Sequence, residues 1–332
     1  MKPRIWYNVR MNRIRFAVVA ALAAVVCGCA YLGGSGETRT ERIRAKLLSN
    51  DRNYVFLAMH RGDWRHYPEN SRGAIQGCID CGADIVELDV ARTKDGRFIL
   101  NHDNSLDRTT TGKGKVSDHT LAEIKGYRLR DSSGGKQAEP TDYEVLTLEE
   151  ALELTRGKIL MNIDHFDSYP EEILDVVERC GMTREVLVKA VFDREKTRRM
   201  FGERHWAKVE SGELLFMPII RFAWGGHKEA PGMMQSWFDH EPRIGSMYEL
   251  CFDSIVGERQ IPVILAQKGA PRVWVNTLWD SLDNKRPDEL AKTDPDAVWG
   301  WCVNQGVTMI QTDCGQEAVA YLEKKGRHDL GR

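Results

Sequence analysis

Most features that would place this 332-residue chain in a specialised class are missing from it. It has no long apolar run except Phe16 to Val26, and those eleven residues fall well short of the roughly 20 that a membrane-spanning helix needs. A polytopic membrane protein is therefore excluded. A charge bias is also lacking. The 47 basic and 49 acidic residues leave a formal net charge of −2, and no basic stripe interleaves with aromatics, so nucleic acid is not expected as a partner. Cysteine is sparse: six of the eight follow position 29, a density too low for a disulfide-dependent fold. Cys78-Ile79-Asp80-Cys81 has CxxC spacing without a second CxxC or a paired histidine. Buried thiols are the first expectation there, a disulfide the second and a zinc or redox site the last. No GxGxxG follows the first strand-like run and no GxSxG is present, which removes dinucleotide binding and elbow-type acyl transfer. Thr111-Gly112-Lys113-Gly114-Lys115 lacks the spacing of a phosphate loop and reads as a solvated loop.

What remains is the composition of a globular protein, 42% hydrophobic and 29% charged, long enough for two domains or one large α/β barrel. Its charge is unevenly distributed. Lys2, Arg4, Arg10, Arg13 and Arg15 precede the apolar run without a single acid, and the rest of the chain holds 42 basic against 49 acidic residues, a charge of −7. A basic start, a short apolar run and small residues at a break describe a secretory signal. Val26-Cys27-Gly28-Cys29 resembles a bacterial lipoprotein signal, with Cys27 unusual in that motif; a plain secretory signal or an uncleaved anchor are the alternatives. The expected organisation is a signal over 1–28, a tether with a short helix over 29–52 and a catalytic barrel over 53–327. In that reading the chain is exported and held at the cell envelope by lipid on Cys29.

Runs rich in Val, Ile and Leu recur at Tyr54–Met59, Asp84–Val90, Phe98–Asn101, Lys158–Ile163, Val186–Val191, Leu214–Ile220, Met247–Phe252, Val273–Thr277 and Thr308–Thr312. Helical patterns separate most of them, as in a parallel sheet buried on both faces. Polar residues gather at the C-terminal ends of several runs: His60, Glu87 with Asp89, His102, Asp164, Lys189, Asn276 and Asp313. A (β/α)8 barrel brings those ends to one face, so a distorted TIM barrel is expected. Nine runs are one too many for eight strands, and only Lys94-Asp95-Gly96 separates the second from the third, too little for a helical crossover. The barrel is thus expected to be irregular near its start, with an insertion of about residues 104–146 over its mouth.

The chemistry lies mostly in the first third. Glu87 and Asp89, two apart in a strand, point to the same face. Their neighbours Ile85, Val86, Leu88 and Val90 are apolar, so the two acids sit where stray charges should not occur. Like charges beside a barrel axis call for a cation between them, and hard oxygen donors suit Mg²⁺ or Ca²⁺. Asp164, ending another strand, is the natural third ligand. His60 and His102 each end a strand and suit a general acid and a general base. Arg61 offers a planar fork for an anion. Together these groups fit phosphoryl chemistry better than acyl chemistry.

The ordered set His60-Arg61-Gly62, Pro68-Glu69-Asn70-Ser71, Gly82-Ala83-Asp84, Glu87-Leu88-Asp89, Thr93-Lys94-Asp95-Gly96, His102-Asp103 and Leu106-Asp107-Arg108-Thr109-Thr110 resembles the glycerophosphodiester phosphodiesterase family. Weaker similarity continues through Asn162-Ile163-Asp164, Val273-Trp274-Val275-Asn276 and Thr312-Asp313. The resemblance implies a distorted TIM barrel and divalent-metal-dependent cleavage of glycerophosphodiesters to glycerol phosphate and an alcohol. It implies His60 and His102 as the acid/base pair, Arg61 on the phosphate, and Glu87, Asp89 and Asp164 on the metal. Two positions depart from the family pattern: Asp164 stands for a glutamate, and Phe166 for a lysine that would contact phosphate. Lys189 is the candidate replacement for that lysine, with a structural ion pair as the alternative. Trp274, Trp299 and Trp301 are expected in the core; Trp279 and Trp224 are candidates for the rim against the alcohol, with ordinary packing as the first expectation. A cyclising lyase, a phosphodiesterase for lysolipid or envelope-polymer head groups, and a non-catalytic phosphodiester-binding lipoprotein remain as alternatives.

Overall fold

The computed structural model describes residues 36–222, 230–238, 247–269 and 271–331; the expected signal, Cys29 and Trp224 lie outside these. Its strands are β1 (Phe56–Met59), β2 (Ile85–Arg92), β3 (Phe98–Leu100), β4 (Arg128–Arg130), β5 (Pro140–Glu144), β6 (Leu160–Asp164), β7 (Val186–Ala190), β8 (Leu215–Phe222), β9 (Met247–Phe252), β10 (Arg272–Asn276) and β11 (Met309–Thr312). Eight of them, β1, β2 and β6 to β11, pair in parallel around a closed ring in which β1 bonds to both β2 and β11. This is the expected TIM barrel. The surplus ninth run is β3, which folds back antiparallel on β2 with Val90 opposite Leu100. The Lys94-Asp95-Gly96 link therefore makes a hairpin rather than a crossover.

Side chains alternate along each barrel strand, and the alternation decides where the site can be. On the inner face Phe56, Ile85, Leu160, Leu187, Leu215, Met247, Trp274 and Met309 form one apolar cluster toward the N-terminal ends. Two residues further along, the inner face turns polar and stays buried: Glu87, Asn162, Lys189, Glu249, Asn276 and Gln311. A second apolar layer packs the outer face of the strands against the helices, and it holds Cys78, Cys302, Trp299 and Phe166. Cys78 is a buried thiol, as first expected, and so are Cys251, Cys302 and Cys314, whereas Cys81 and Cys180 are half-buried.

Helix Arg39–Leu48 closes the bottom of the barrel. Thr38 caps it in a capping box with Glu41, and Ile43 and Leu47 join the inner apolar cluster. Two of its arginines, Arg39 and Arg44, are buried. They are tolerated because backbone carbonyls take their N–H groups: Arg39 donates to Gly82 (2.8 Å) and Ala83 (2.9 Å), and Arg44 to Arg184 (2.9 Å) and to Gly212. The insertion after β3 has a small core of its own, in which Leu106, Val116, Ile124, Leu129 and Val145 pack on Ile99, and it carries the hairpin β4–β5. Among the described residues no helix is long and apolar enough to cross a membrane.

Candidate active site

His60 follows β1 and Asp313 follows the neighbouring β11. Nδ1 of His60 lies 2.8 Å from Oδ1 of Asp313, which also accepts from the indole N–H of Trp64 at 2.7 Å. The Asp313 backbone N–H is itself held by Asp288 at 2.6 Å. Burial raises the Asp313 carboxyl, but His60 and Trp64 outweigh it and the pKa is lowered, so Asp313 is an acceptor. Nδ1 of His60 therefore donates and Nε2 is left for other partners. Burial disfavours the His60 imidazolium, but Asp313 and Glu87 outweigh burial and raise its pKa. Trp279, at 44% exposure, stands edge-on to the His60 ring with centroids 5.9 Å apart.

Arg61 takes a left-handed backbone, φ 54°, a conformation that costs a non-glycine residue about 1–2 kcal/mol. That turn aims its N–H at Oε2 of Glu87, 2.7 Å away. The carbonyl of Arg61 is held by Asn70 N–H at 3.0 Å, and its guanidinium lies 3.1 Å from Glu69 and 3.6 Å from Asp89. Gly62 completes the motif for a steric reason: a Cβ there would stand 2.7 Å from that of Ala74, on a backbone at φ 77°.

Glu87, Asp89 and Asp164 come together as the alternation requires, since Asp89 and Asp164 are register partners on β2 and β6. Each offers one oxygen, and the three lie within 4.8 Å of one another. Asn70 fixes Asp89 from two sides, donating to Oδ2 at 2.9 Å and accepting the Asp89 N–H at 3.0 Å. Glu87 is wholly buried and its Oε1 has no hydrogen-bond partner. Burial, then Asp89 and Asp164, push its pKa up to about 8 despite His60 and Lys189. A buried oxygen without a partner in an all-oxygen donor set is what a hard divalent cation fits.

His102 follows β3, and a relay of ion pairs fixes it. Its Nδ1 lies 2.8 Å from Asp103, which Arg108 grips with Nε at 2.8 Å and Nη2 at 2.9 Å. Arg108 also grips Glu69, at 2.8 and 2.9 Å, and Glu69 in turn holds Arg61. The Arg108 hydrogen bond holds the Asp103 carboxyl well below the usual carboxylate range. Asp103 is therefore an acceptor, and Nε2 of His102 is left open.

Lys189 makes a structural ion pair, the alternative expected of it. Its Nζ pairs with Glu249 at 2.9 Å, above the Trp274 ring, yet it also lines a cleft of about 900 Å³ together with His102, Asp164, His165 and Arg221. Burial disfavours its charge, but Glu249, Asp164 and Glu87 outweigh that and raise its pKa. Phe166 is buried against Phe201 and lines the same cleft without bringing a charge to it. Asp313, Glu69, Asn70 and Arg108 were visible in the sequence only as members of motifs or strand ends. His165 and Glu249 carried no expectation at all.

Residues 60–209 match the Glycerophosphoryl diester phosphodiesterase family, and residues 216–322 match a family described only as a domain of unknown function. A glycerophosphodiester phosphodiesterase of Caldanaerobacter subterraneus is 43% identical over 98 residues, covering 28% of this chain and 40% of that protein. One from Bacillus altitudinis is 38% identical over 139 residues, covering 40% of this chain and 56% of that protein. The chain thus spans about half the length of these relatives, 40% and 56%. Among solved structures, a Glycerophosphoryl diester phosphodiesterase from Parabacteroides distasonis superposes with a TM-score of 0.65 at 23% identity, over 86% of this chain and 92% of that one. An Oleispira antarctica phosphodiesterase, solved with sn-glycerol-3-phosphate, superposes at 0.55 with 18% identity, over 81% and 97%. Residues 60–209, which hold His60, Arg61, Glu87, Asp89, His102, Asp164 and Lys189, are therefore similar to the Glycerophosphoryl diester phosphodiesterase family, on a barrel that shares the fold of its solved members.

Proposed function

We propose that this chain is a divalent-cation-dependent phosphodiesterase that cleaves glycerophosphodiesters to glycerol phosphate and an alcohol. One observation carries the reading: two histidines, each backed at Nδ1 by a carboxylate, share a barrel mouth with a buried three-carboxylate cluster and Arg61. The family match over residues 60–209 supports it. The cluster Glu87, Asp89 and Asp164 would hold Mg²⁺ or Ca²⁺, which when bound supplies positive charge beside phosphoryl oxygens.

The chain's own residues would act as follows. One imidazole Nε2 accepts the proton of the glycerol 2-hydroxyl, whose oxygen attacks phosphorus at high effective molarity. The bond from phosphorus to the alcohol oxygen breaks, and the other imidazolium gives that oxygen its proton. Arg61 and Lys189 stabilise the anionic phosphoryl group, and Trp279 packs beside the alcohol. The cyclic phosphate is then opened by water with the two imidazoles in exchanged roles.

Glycerophosphocholine and glycerophosphoinositol, incubated with the protein with and without EDTA, test this reading. Metal-dependent release of glycerol phosphate is expected, and absence of turnover on both would overturn it. Accumulation of a cyclic product without hydrolysis would assign a cyclising lyase instead. His60→Ala and His102→Ala are each expected to abolish turnover with little change in melting temperature.

We also propose that the chain is exported and anchored through lipid on Cys29, on the strength of the basic start, the short apolar run and the Cys27-Gly28-Cys29 break. Incorporation of labelled palmitate that Cys29→Ala leaves intact would refute the anchor.

A further inference from the structure

A second donor set overlaps the carboxylate cluster, and it contains a residue with no part in the chemistry above. Asp89, His102 and His165 each offer a ligand atom, all within 4.8 Å of one another. Nε2 of His165 lies 3.9 Å from Oδ1 of Asp89, and its ring centroid stands 4.9 Å from that of His102, tilted by 46°. The residue is placed by backbone geometry rather than by packing. It follows β6 with φ 57°, a left-handed conformation that costs a non-glycine residue about 1–2 kcal/mol, and its N–H donates to Asp164 at 2.7 Å. The side chain, 40% exposed, faces the same cleft as His102 and Asp164.

The donor chemistry differs from that of the neighbouring cluster. Three carboxylates favour a hard cation, whereas two imidazoles and one carboxylate favour a borderline ion such as Zn²⁺. His102 already has the outer support common to zinc-binding histidines. Its Nδ1–H is given to Asp103, which Arg108 clasps, so the ring is fixed with the Nε2 lone pair outward. Elsewhere among the described residues, Asp175, Glu178 and His205 also cluster. There the acids are occupied by cations, with Arg204 pairing with both and Lys208 lying 2.8 Å from Glu178.

We propose that Asp89, His102 and His165 form an inhibitory site for a transition-metal dication of the zinc type. Occupancy ties up the His102 lone pair that proton transfer needs, and it draws Asp89 away from the hard-cation cluster. The binding stands on these three side chains. The inhibition rests on the acid–base reading of His102.

The test uses the full chain supplied with Mg²⁺ and titrated with chelator-buffered Zn²⁺. Bound zinc is read by competition with a chromogenic chelator, and glycerophosphocholine hydrolysis is read in parallel, each variant against its own zinc-free rate. The wild type is expected to lose rate in step with zinc bound. His165→Phe and His165→Gln are each expected to weaken binding and inhibition by at least about 10-fold, the low end of what loss of even an outer partner costs a metal site. His102→Gln, read for binding alone, is expected to weaken it likewise, and His205→Gln to leave it in place. Unchanged zinc affinity in a folded His165 variant overturns the site, as does binding that follows His205. Zinc bound through His165 without loss of rate overturns the inhibition. A chain that binds zinc through His165 yet hydrolyses no glycerophosphodiester keeps the site and loses only the proposed activity.

Discussion

Nδ1 of His60 and Oδ1 of Asp313 stand 2.8 Å apart across 253 residues of sequence, joining the ends of two adjacent barrel strands. The carboxylate orients the ring and stabilises its charged form, so its removal has two separable consequences. Asp313→Asn keeps the size of the side chain, and the Asp288 contact is made by the backbone N–H. We expect kcat to fall about 100-fold or more, the scale of general acid–base catalysis, with little change in melting temperature. Because Asp313 raises the His60 pKa, the limb of the pH–rate profile that His60 governs should move to lower pH. A rate loss without that shift would mean that Asp313 acts on something other than His60.

Glu87 supplies a stability test of the cation cluster that needs no substrate. Burial beside Asp89 and Asp164 makes its charge costly until a cation is present. Glu87→Gln leaves an oxygen to accept the Arg61 N–H, now 2.7 Å from Oε2, and removes one negative charge. In EDTA the variant should therefore melt above the wild type. Added Mg²⁺ or Ca²⁺ should raise the wild-type melting temperature by mass action and the variant's much less. Scanning calorimetry in both conditions decides the point: a variant that melts below wild type in EDTA contradicts it.

How much of this was legible depended on whether a residue broke a pattern. Glu87 and Asp89 stood out because acids interrupt an otherwise apolar strand, and the barrel placed them as that argument required. The same signal is present at Glu249 between Tyr248 and Leu250, and it marks the partner of Lys189. Arg108 gave no such signal. It lies in an irregular insertion, and only folding brings it against both Asp103 and Glu69. His165 is one histidine in a loop, and its placement follows from a backbone angle that no periodicity encodes. The burial of Arg39 and Arg44 in helix Arg39–Leu48 was illegible for another reason, since their hydrogen bonds go to backbone carbonyls that carry no side-chain signature.

Lys189 and Glu249 form a buried pair, so structure and binding are separable by a double substitution. Lys189→Met alone strands a buried carboxylate and should cost about 3–5 kcal/mol of stability. Adding Glu249→Gln removes the stranded charge and should restore most of that loss. KM for a glycerophosphodiester should stay raised in the double variant, because the cleft still lacks the Lys189 charge. Urea unfolding and steady-state kinetics on the single and double variants check both halves. A double variant with wild-type KM would leave Lys189 a structural residue only.

His328 makes the stability of the barrel bottom depend on pH, and the hydrogen bonds dictate the sign. Its two ring nitrogens lie 3.0 Å from the carbonyl oxygens of Val55 and Gly82. Carbonyls only accept, so both nitrogens donate, and the ring is an imidazolium. Burial opposes that charge, but Asp84, 3.5 Å away, and the two carbonyls outweigh it and raise the pKa. A raised cation pKa contributes stability in full below the unfolded value of about 6.5, where both states carry the proton. That contribution is lost as the pH rises through the folded-state pKa, because the folded chain must then give up a proton the unfolded chain has already lost. His328→Gln keeps one donor and no charge, so it should lower stability at pH 6 by about 1.5–3 kcal/mol, the worth of a charged hydrogen bond. The gap between wild type and variant should close toward pH 9. A gap of constant size from pH 6 to 9 would show that the ring sits there neutral, with one carbonyl left without its donor.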